Sequence, residues 1–133
     1  MIKLVKNEKK YWEFIRCLRT HKDVKKGFIQ QADISQAVHK AYMEKYGDTY
    51  YIALVDGQPA GFMGVINNDI RVATDPAHQG HGIAKFMVTE VMKLHPQAFA
   101  KVKVDNDASL RLFESCGFKK KFYILEQECA KQS

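Results

Sequence analysis

An α/β fold of the α+β kind, with a mixed central sheet of six to seven strands and about four helices, is what this 133-residue sequence predicts. Three observations carry that reading. Two helical patterns precede three short β-rich segments separated by tight turns. A strand, a glycine-bearing turn and a helix then follow one another between residues 70 and 94. Beyond them the chain alternates once more, as strand, helix, strand.

In order, residues 2–5 read as a first strand. Over 8–20 the apolar Tyr11, Phe14, Ile15 and Leu18 fall at i, i+3, i+4, i+7, an amphipathic helix whose face Trp12 widens. Periodicity is lost over 22–27, which reads as a loop. Asp33 or Ser35 can cap a second helix, with Ile34, Ala37, Val38, Ala41 and Tyr42 on one stripe and a stop at Gly47-Asp48. Residues 49–55 and 60–66 are strands joined through Asp56-Gly57, a strong hairpin signal. Asn67-Asn68-Asp69 turns the chain again into a strand with Ile70, Val72 and Thr74, which stops at Asp75-Pro76. A helix with Ile83, Phe86, Met87, Val91 and Leu94 apolar follows. Pro96 breaks it, and residues 99–104 alternate as a further strand. Asp105-Asn106-Asp107 opens a short helix that runs to Ser115 and ends at Gly117. Residues 118–126 supply the closing strand or hairpin.

Composition bounds the function. The chain, residues 1–133, is one domain, with 46% hydrophobic and 27% charged residues, ordinary globular values. The longest apolar run, 50–55, is too short to span a bilayer, and the first ten residues lack the apolar core of a secretory signal. We therefore expect no membrane. Cys17, Cys116 and Cys129 are odd in number and show no C-x-x-C spacing, which points to free thiols and a cytoplasmic location. Residues 1–26 hold nine Lys or Arg against three Asp or Glu, the whole of the +6 net charge. Such a segment suits a solvated helix face, or a nucleic acid, protein or phosphate-bearing partner.

The chemistry concentrates at Gln79-Gly80-His81-Gly82-Ile83-Ala84, between strand and helix. Glycines let backbone approach a bulky group, and first-turn N–H groups have no intrahelical acceptors, so the device favours a phosphate. A Walker loop is excluded because no G-x-x-x-x-G-K-[ST] exists, and the dinucleotide fingerprint fails because Gly80-x-Gly82 lacks a third glycine. His78 and His81 have no third or fourth metal ligand spaced nearby, so no metal is expected.

What remains, Gln79-x-x-Gly82-x-Ala84 after V-A-T-D-P, resembles the acyl-CoA pyrophosphate loop of the GCN5-related N-acetyltransferases, [QR]-x-x-G-x-[GA]. Asn106 to Phe118 is similar to that family's second signature, N-x-x-[AS]-x-x-[LF]-[YF]-x-x-x-G-F, and the order of elements also matches. The resemblance covers essentially the whole chain. It implies the GNAT fold, with its sheet splayed in the middle, and acetyl-CoA as co-substrate. By resemblance, main-chain groups of Val72, Ala73 and Thr74 would bond the pantetheine arm. Gln79 opens the loop, and Gly80, His81, Gly82, Ile83, Ala84 and Lys85 would wrap the pyrophosphate. Lys85 and Arg111 are candidates for the outer phosphates, with surface solvation an equal account of either. Asn106 would touch the arm and cap its helix.

Phe113 stands where many members carry a Tyr that protonates the departing thiolate, so water, Ser109 or Tyr123 are open as substitutes. Two base candidates are Asp69, otherwise a turn carboxylate, and His39, otherwise a polar partner on a helix surface. Cys116 reads as a small buried hydrophobe.

The expected reaction moves acetyl from acetyl-CoA to a primary amine of a small molecule by direct attack in a ternary complex. The first half, with Arg19-Thr20, His39 and Tyr42, is similar to the branch that acetylates nucleotide-linked amino sugars. The alternatives are a catalytically weak acyl-CoA-binding module with a protein or RNA partner, or a protein amine acetyltransferase. Monomer and homodimer both stay open.

Overall fold

The computed structural model describes residues 1–21, 24 and 35–128. Strand β1 (Ile2–Lys6) is followed by α1 (Trp12–Thr20), α2 (Gln36–Tyr46), β2 (Tyr50–Val55), β3 (Gln58–Ile66) and β4 (Asp69–Thr74). Helices α3 (Ile83–Leu94) and α4 (Asp107–Ser115) complete the described elements. The loop expected over 22–27 and the cap candidate Asp33 lie outside the described residues, Val24 excepted.

The sheet has the order β1-β2-β3-β4, every neighbour antiparallel. Asp56-Gly57 and Asn67-Asn68 make its two later turns, with Asp56, Gly57, Asn67 and Asn68 all at positive φ. That backbone requirement is what selects Gly, Asn and Asp there. Both faces are covered. Met63, Val65 and Ile70 pack with Met87, Val88 and Val91 of α3 on one side. Ile52 and Phe62 pack with Ile15, Leu18 and Met43 of α1 and α2 on the other. Covered on both faces, β2 reads as a continuous apolar run rather than an alternating one.

Two expectations are corrected. The sheet among the described residues is four antiparallel strands, not a mixed sheet of six to seven. Residues 99–103 do run beside β4 at its start, where Ile70 N–H donates to the Phe99 carbonyl (2.9 Å) and Phe99 N–H to that of Asn68 (2.7 Å). This single parallel bridge, Asp69 to Phe99, is all that forms. Ala98, Ala100 and Val102 continue along the core under α3, so the segment leaves β4 rather than pairing with it. Residues 118–126, expected as the closing strand or hairpin, find no strand to pair with among the described residues, and a strand exists only through its partner's hydrogen bonds.

The second correction concerns α2. Ser35 Oγ caps it by accepting the Val38 N–H at 3.2 Å. Its inward stripe, however, is His39, Tyr42, Met43 and Tyr46, while Ala37 and Ala41 are exposed and Val38 is 64% exposed. A polar residue can occupy the stripe because His39 Nε2 donates to the Trp12 carbonyl at 2.8 Å, which links α2 to the start of α1.

Candidate active site

A cleft of about 720 Å³ opens where β4 and residues 99–103 part, above the start of α3. Its wall is Val72, Ala73, Thr74, His78, Gln79, Gly80, Gly82, Ile83, Ala84 and Lys85 on one side. Lys103, Asp105, Asn106, Ala108, Ser109 and Leu112 line the other, with Val24 at the margin.

Strand geometry decides which main-chain groups face this space. In an antiparallel ladder a residue's N–H and C=O point to the same edge, and the edge alternates along the strand. Ile70 N–H points away from β3, towards Phe99. Val72 and Thr74, two and four residues on, point the same way and have no strand opposite them among the described residues. Ala73 points the other way: a methyl on Gly61 of β3 would come within 2.8 Å of the Ala73 carbonyl oxygen. Of the three residues expected to bond an extended ligand through backbone, two therefore present open groups and Ala73 spends its own on β3.

Beyond Thr74 the chain turns sharply. Asp75 N–H donates to the Ala60 carbonyl at 2.8 Å, and Asp75 Oδ1 accepts the Ala77 N–H at 3.0 Å. A short 3-10 turn, Pro76–His78, delivers Gln79 and Gly80 to the mouth of the cleft. Gly80 and Gly82 have φ of 86° and 74°, in the left-handed region. Gly82 is the N-cap of α3, and no side chain caps that helix. Helices α2 and α4 are capped by Ser35 and Asn106. The start of α3 thus leaves its N–H groups and the positive end of its dipole facing the cleft. No heavy atom lies within 4 Å of where a Cβ would stand on Gly80 or Gly82, so the surface they form is an open cradle.

Ten of the eleven cofactor candidates line the cleft; His81 instead borders a smaller recess of about 260 Å³ with Met1, Ile2, Val55, His78 and Ile83. The Ile83 side chain is itself buried in the core. Asn106 Oδ1 accepts the Ser109 N–H at 3.1 Å, which caps α4 and presents Asn106 to the cleft at once. Among the described residues Lys103, not Arg111, joins Lys85 in the wall. Sequence reasoning missed it, although the outward alternation of residues 99–104 contained the signal. Ser109 lines the cleft, whereas Tyr123 does not. Phe113 is buried, its ring 5.1 Å from that of Phe118, and also stays outside the wall.

Neither base candidate lines the cleft. Asp69 stands at the far end of β4, its Oδ2 3.5 Å from Lys101 Nζ and 3.7 Å from an Arg71 nitrogen. His39 is 2% exposed, and its Nδ1 has no hydrogen-bond partner among the described residues. Burial, aided by the nearby charges of Arg19 and Arg16, holds its pKa below the ordinary imidazole value. No group of three or more His, Cys, Asp or Glu among the described residues is placed to hold a metal ion.

Open backbone groups on an edge strand running into an uncapped glycine-lined helix start match a ligand that is amide-rich at one end and phosphorylated at the other. Residues 9–118 match the model of the Acetyltransferase (GNAT) family. The chain belongs to that family. It is an acetyl-CoA-dependent N-acetyltransferase, an acyltransferase with acetyl-CoA as co-substrate. Among curated proteins none matches the sequence.

Solved structures share the fold of this acetyltransferase. Spermidine N-acetyltransferase from Vibrio cholerae, in complex with CoA and spermine, is 17% identical with a TM-score of 0.82, covering 95% of this chain and 85% of that one. AAC(6')-Iy, in complex with the bisubstrate analogue CoA-S-monomethyl-acetylneamine, is 16% identical with a TM-score of 0.71, covering 96% and 97%. Ribosomal-protein-alanine N-acetyltransferase from Brucella melitensis is 14% identical with a TM-score of 0.75, covering 88% and 84%. Those names span polyamine and protein acceptors, so the shared fold leaves the acceptor of this acetyltransferase open. No helix among its described residues is long and apolar enough to cross a membrane.

Proposed function

We propose that this acetyltransferase transfers acetyl from acetyl-CoA to a primary amine of a small molecule, by direct attack within a ternary complex. The observation that carries the reading is the continuity of the cleft. Open main-chain groups of Val72 and Thr74 lead without a break into the Gly80–Gly82 cradle at the α3 N-terminus. The arm of the co-substrate lies along the first, and its pyrophosphate against the second, with Lys85 and Lys103 adding positive charge.

The amine attacks the thioester carbonyl, the C–N bond forms, and the C–S bond breaks to release the thiolate. A thiolate is a modest base and leaves without strong acid assistance, which fits the burial of Phe113 away from the cleft. We assign Ser109, or a water beside it, as the proton source for the thiolate. For the amine's proton we favour Asp69 through a water relay, because His39 is enclosed and bonded to Trp12. A nucleotide-linked amino sugar is one acceptor of this class, since the excess positive charge of residues 1–26 suits a diphosphate.

Free-thiol release from acetyl-CoA, measured against a panel of amino sugars, nucleotide-linked amino sugars, polyamines and N-terminal peptides, tests this. Turnover on a small amine with Asp69→Asn lowering kcat more than KM supports it. Binding of acetyl-CoA with no turnover on any acceptor would instead favour the weak acyl-CoA-binding module. Turnover confined to peptides would favour a protein amine acetyltransferase.

A further inference from the structure

Tyr50 of β2, Gly64 of β3 and Arg71 of β4 stand directly opposite one another in the two ladders, so they share one face of the sheet. Ile52, Phe62 and Ala73 form the next row on that face, which α1 and α2 cover. Gly64 carries no side chain, and the Tyr50 ring lies across it, one strand closer to Arg71. The Tyr50 hydroxyl meets that of Tyr42 at 2.7 Å, and the Arg19 guanidinium stacks over the Tyr42 ring, 4.8 Å from its centre. Burial raises the Tyr50 phenol's pKa, while the charges of Arg19 and Arg71 both act on it in the opposite sense. Two guanidinium groups, one from α1 and one from β4, therefore stand within electrostatic reach of the Tyr42–Tyr50 hydroxyl pair.

The charge there is unbalanced. Among the described residues Asp69 is the one carboxylate paired with Arg71, at 3.7 Å, and it also meets Lys101 at 3.5 Å. Arg19 pairs with no carboxylate among them. The Arg71 side chain is 40% exposed, so its guanidinium is open to a ligand rather than sealed in the core. Such a group presents a planar fork of donors that fits a carboxylate or a phosphate.

In the proposed function, on which this inference rests, the co-substrate runs from the Gly80–Gly82 cradle along Thr74 to Val72. The opening ends beyond Val72, where the Asp69–Phe99 bridge joins the two walls. The acyl end therefore reaches the backbone beside Arg71, whose side chain lies on the face covered by α1 and α2. We propose that Arg19 and Arg71 bind an acidic group, carboxylate or phosphate, on the acceptor and so hold its amine at the thioester. The acceptor class narrows to amines that also carry a negative charge, and a purely cationic polyamine is repelled. Neither arginine lines the cleft, so acetyl-CoA binding does not depend on them.

Titration calorimetry on the full chain saturated with CoA, which has no acetyl group to transfer, reads acceptor binding by itself. Two matched pairs of probes separate the sources of charge: glucosamine phosphate against glucosamine, and β-alanine against β-alaninamide. The anionic member of at least one pair should bind about ten-fold or more tightly than its neutral partner, the usual worth of a charge-assisted contact. The pair that shows the preference tells phosphate from carboxylate. Arg19→Gln and Arg71→Gln should each cut that preference several-fold, and Arg71→Lys, which keeps the charge but not the fork, should lose less. Raised salt should shrink the preference in the parent. Unchanged melting temperature and acetyl-CoA affinity show that the variants fold. Equal affinity within both pairs, or a preference that survives in both glutamine variants, would overturn the inference. Acetyl transfer to neutral and acidic amines at the same kcat/KM would overturn it too, while leaving the small-amine transferase intact. A preference lost in both variants, with no acetyl transfer to any amine, supports the site and sinks the small-amine transferase instead.

Discussion

The ring of Tyr50 lies across Gly64, its direct partner on β3: a methyl at Gly64 would come within 2.6–2.7 Å of three ring carbons. The glycine is what lets the ring lie there. In turn the Tyr50 hydroxyl meets that of Tyr42 at 2.7 Å, and its ring packs on Phe62 at 5.7 Å. Helix α2, which carries His39, is thereby bolted to the sheet. Burial raises the Tyr50 phenol's pKa far above its usual range, so the Tyr50 hydroxyl stays neutral.

Gly64→Ala should therefore destabilise the chain by about 1–3 kcal/mol, the usual cost of overfilling a packed site. Urea denaturation should show a lower midpoint with an unchanged slope. An unchanged midpoint would mean that the ring moves aside freely.

Gly82→Ala separates fold from ligand. The free protein has open space at that position, so the expected loss is the left-handed backbone strain, roughly 1 kcal/mol. The added methyl occupies the cradle face itself. Titration calorimetry should show acetyl-CoA affinity falling by more than about ten-fold, through the lost close backbone approach. Equal affinity in parent and variant would move the pyrophosphate elsewhere.

Asn106→Asp distinguishes a cap from a contact. Aspartate caps as well as asparagine, so melting temperature should hold within a few degrees. The added carboxylate faces the cleft, and coenzyme A binding should weaken several-fold, more at low salt than at high. A loss of stability without a loss of affinity would leave Asn106 as a cap alone.

His39 supplies a pH signature. Its folded pKa is depressed, mainly by burial, so below about 6.5 the unfolded chain binds the proton that the folded chain refuses. The stability from keeping this ring neutral is complete above about 6.5 and is lost as pH falls from there towards the folded value. His39→Gln retains a donor for the Trp12 carbonyl and removes the titration. Melting curves from pH 8 to 5 should fall less steeply for the variant, and parallel curves would show that His39 contributes nothing to acid sensitivity.

Much of the architecture was legible because it is local. Asp56-Gly57 and Asn67-Asn68 need positive φ, so the meander could be read residue by residue. Gln79, Gly82 and Ala84 keep a spacing that the backbone approach demands, and ten of eleven candidates do share one cleft. The α2 stripe was misread because hydrophobicity ranks Val38 above His39, while one hydrogen bond to Trp12 reverses their burial. Residues 99–104 and 118–126 have strand-like patterns, but a pattern carries no information on whether a partner strand is within reach.

By itself, then, the sequence determined turn types, helix starts and the glycine loop, because each depends on groups a few residues apart. Only tertiary structure decided that Val72 and Thr74 present open backbone while Ala73 does not, and that Lys103 joins the cleft wall. It also decided that Asp69 and His39 stand away from that wall. Those facts depend on which strands lie side by side, a relation between distant segments set by burial of the shared core.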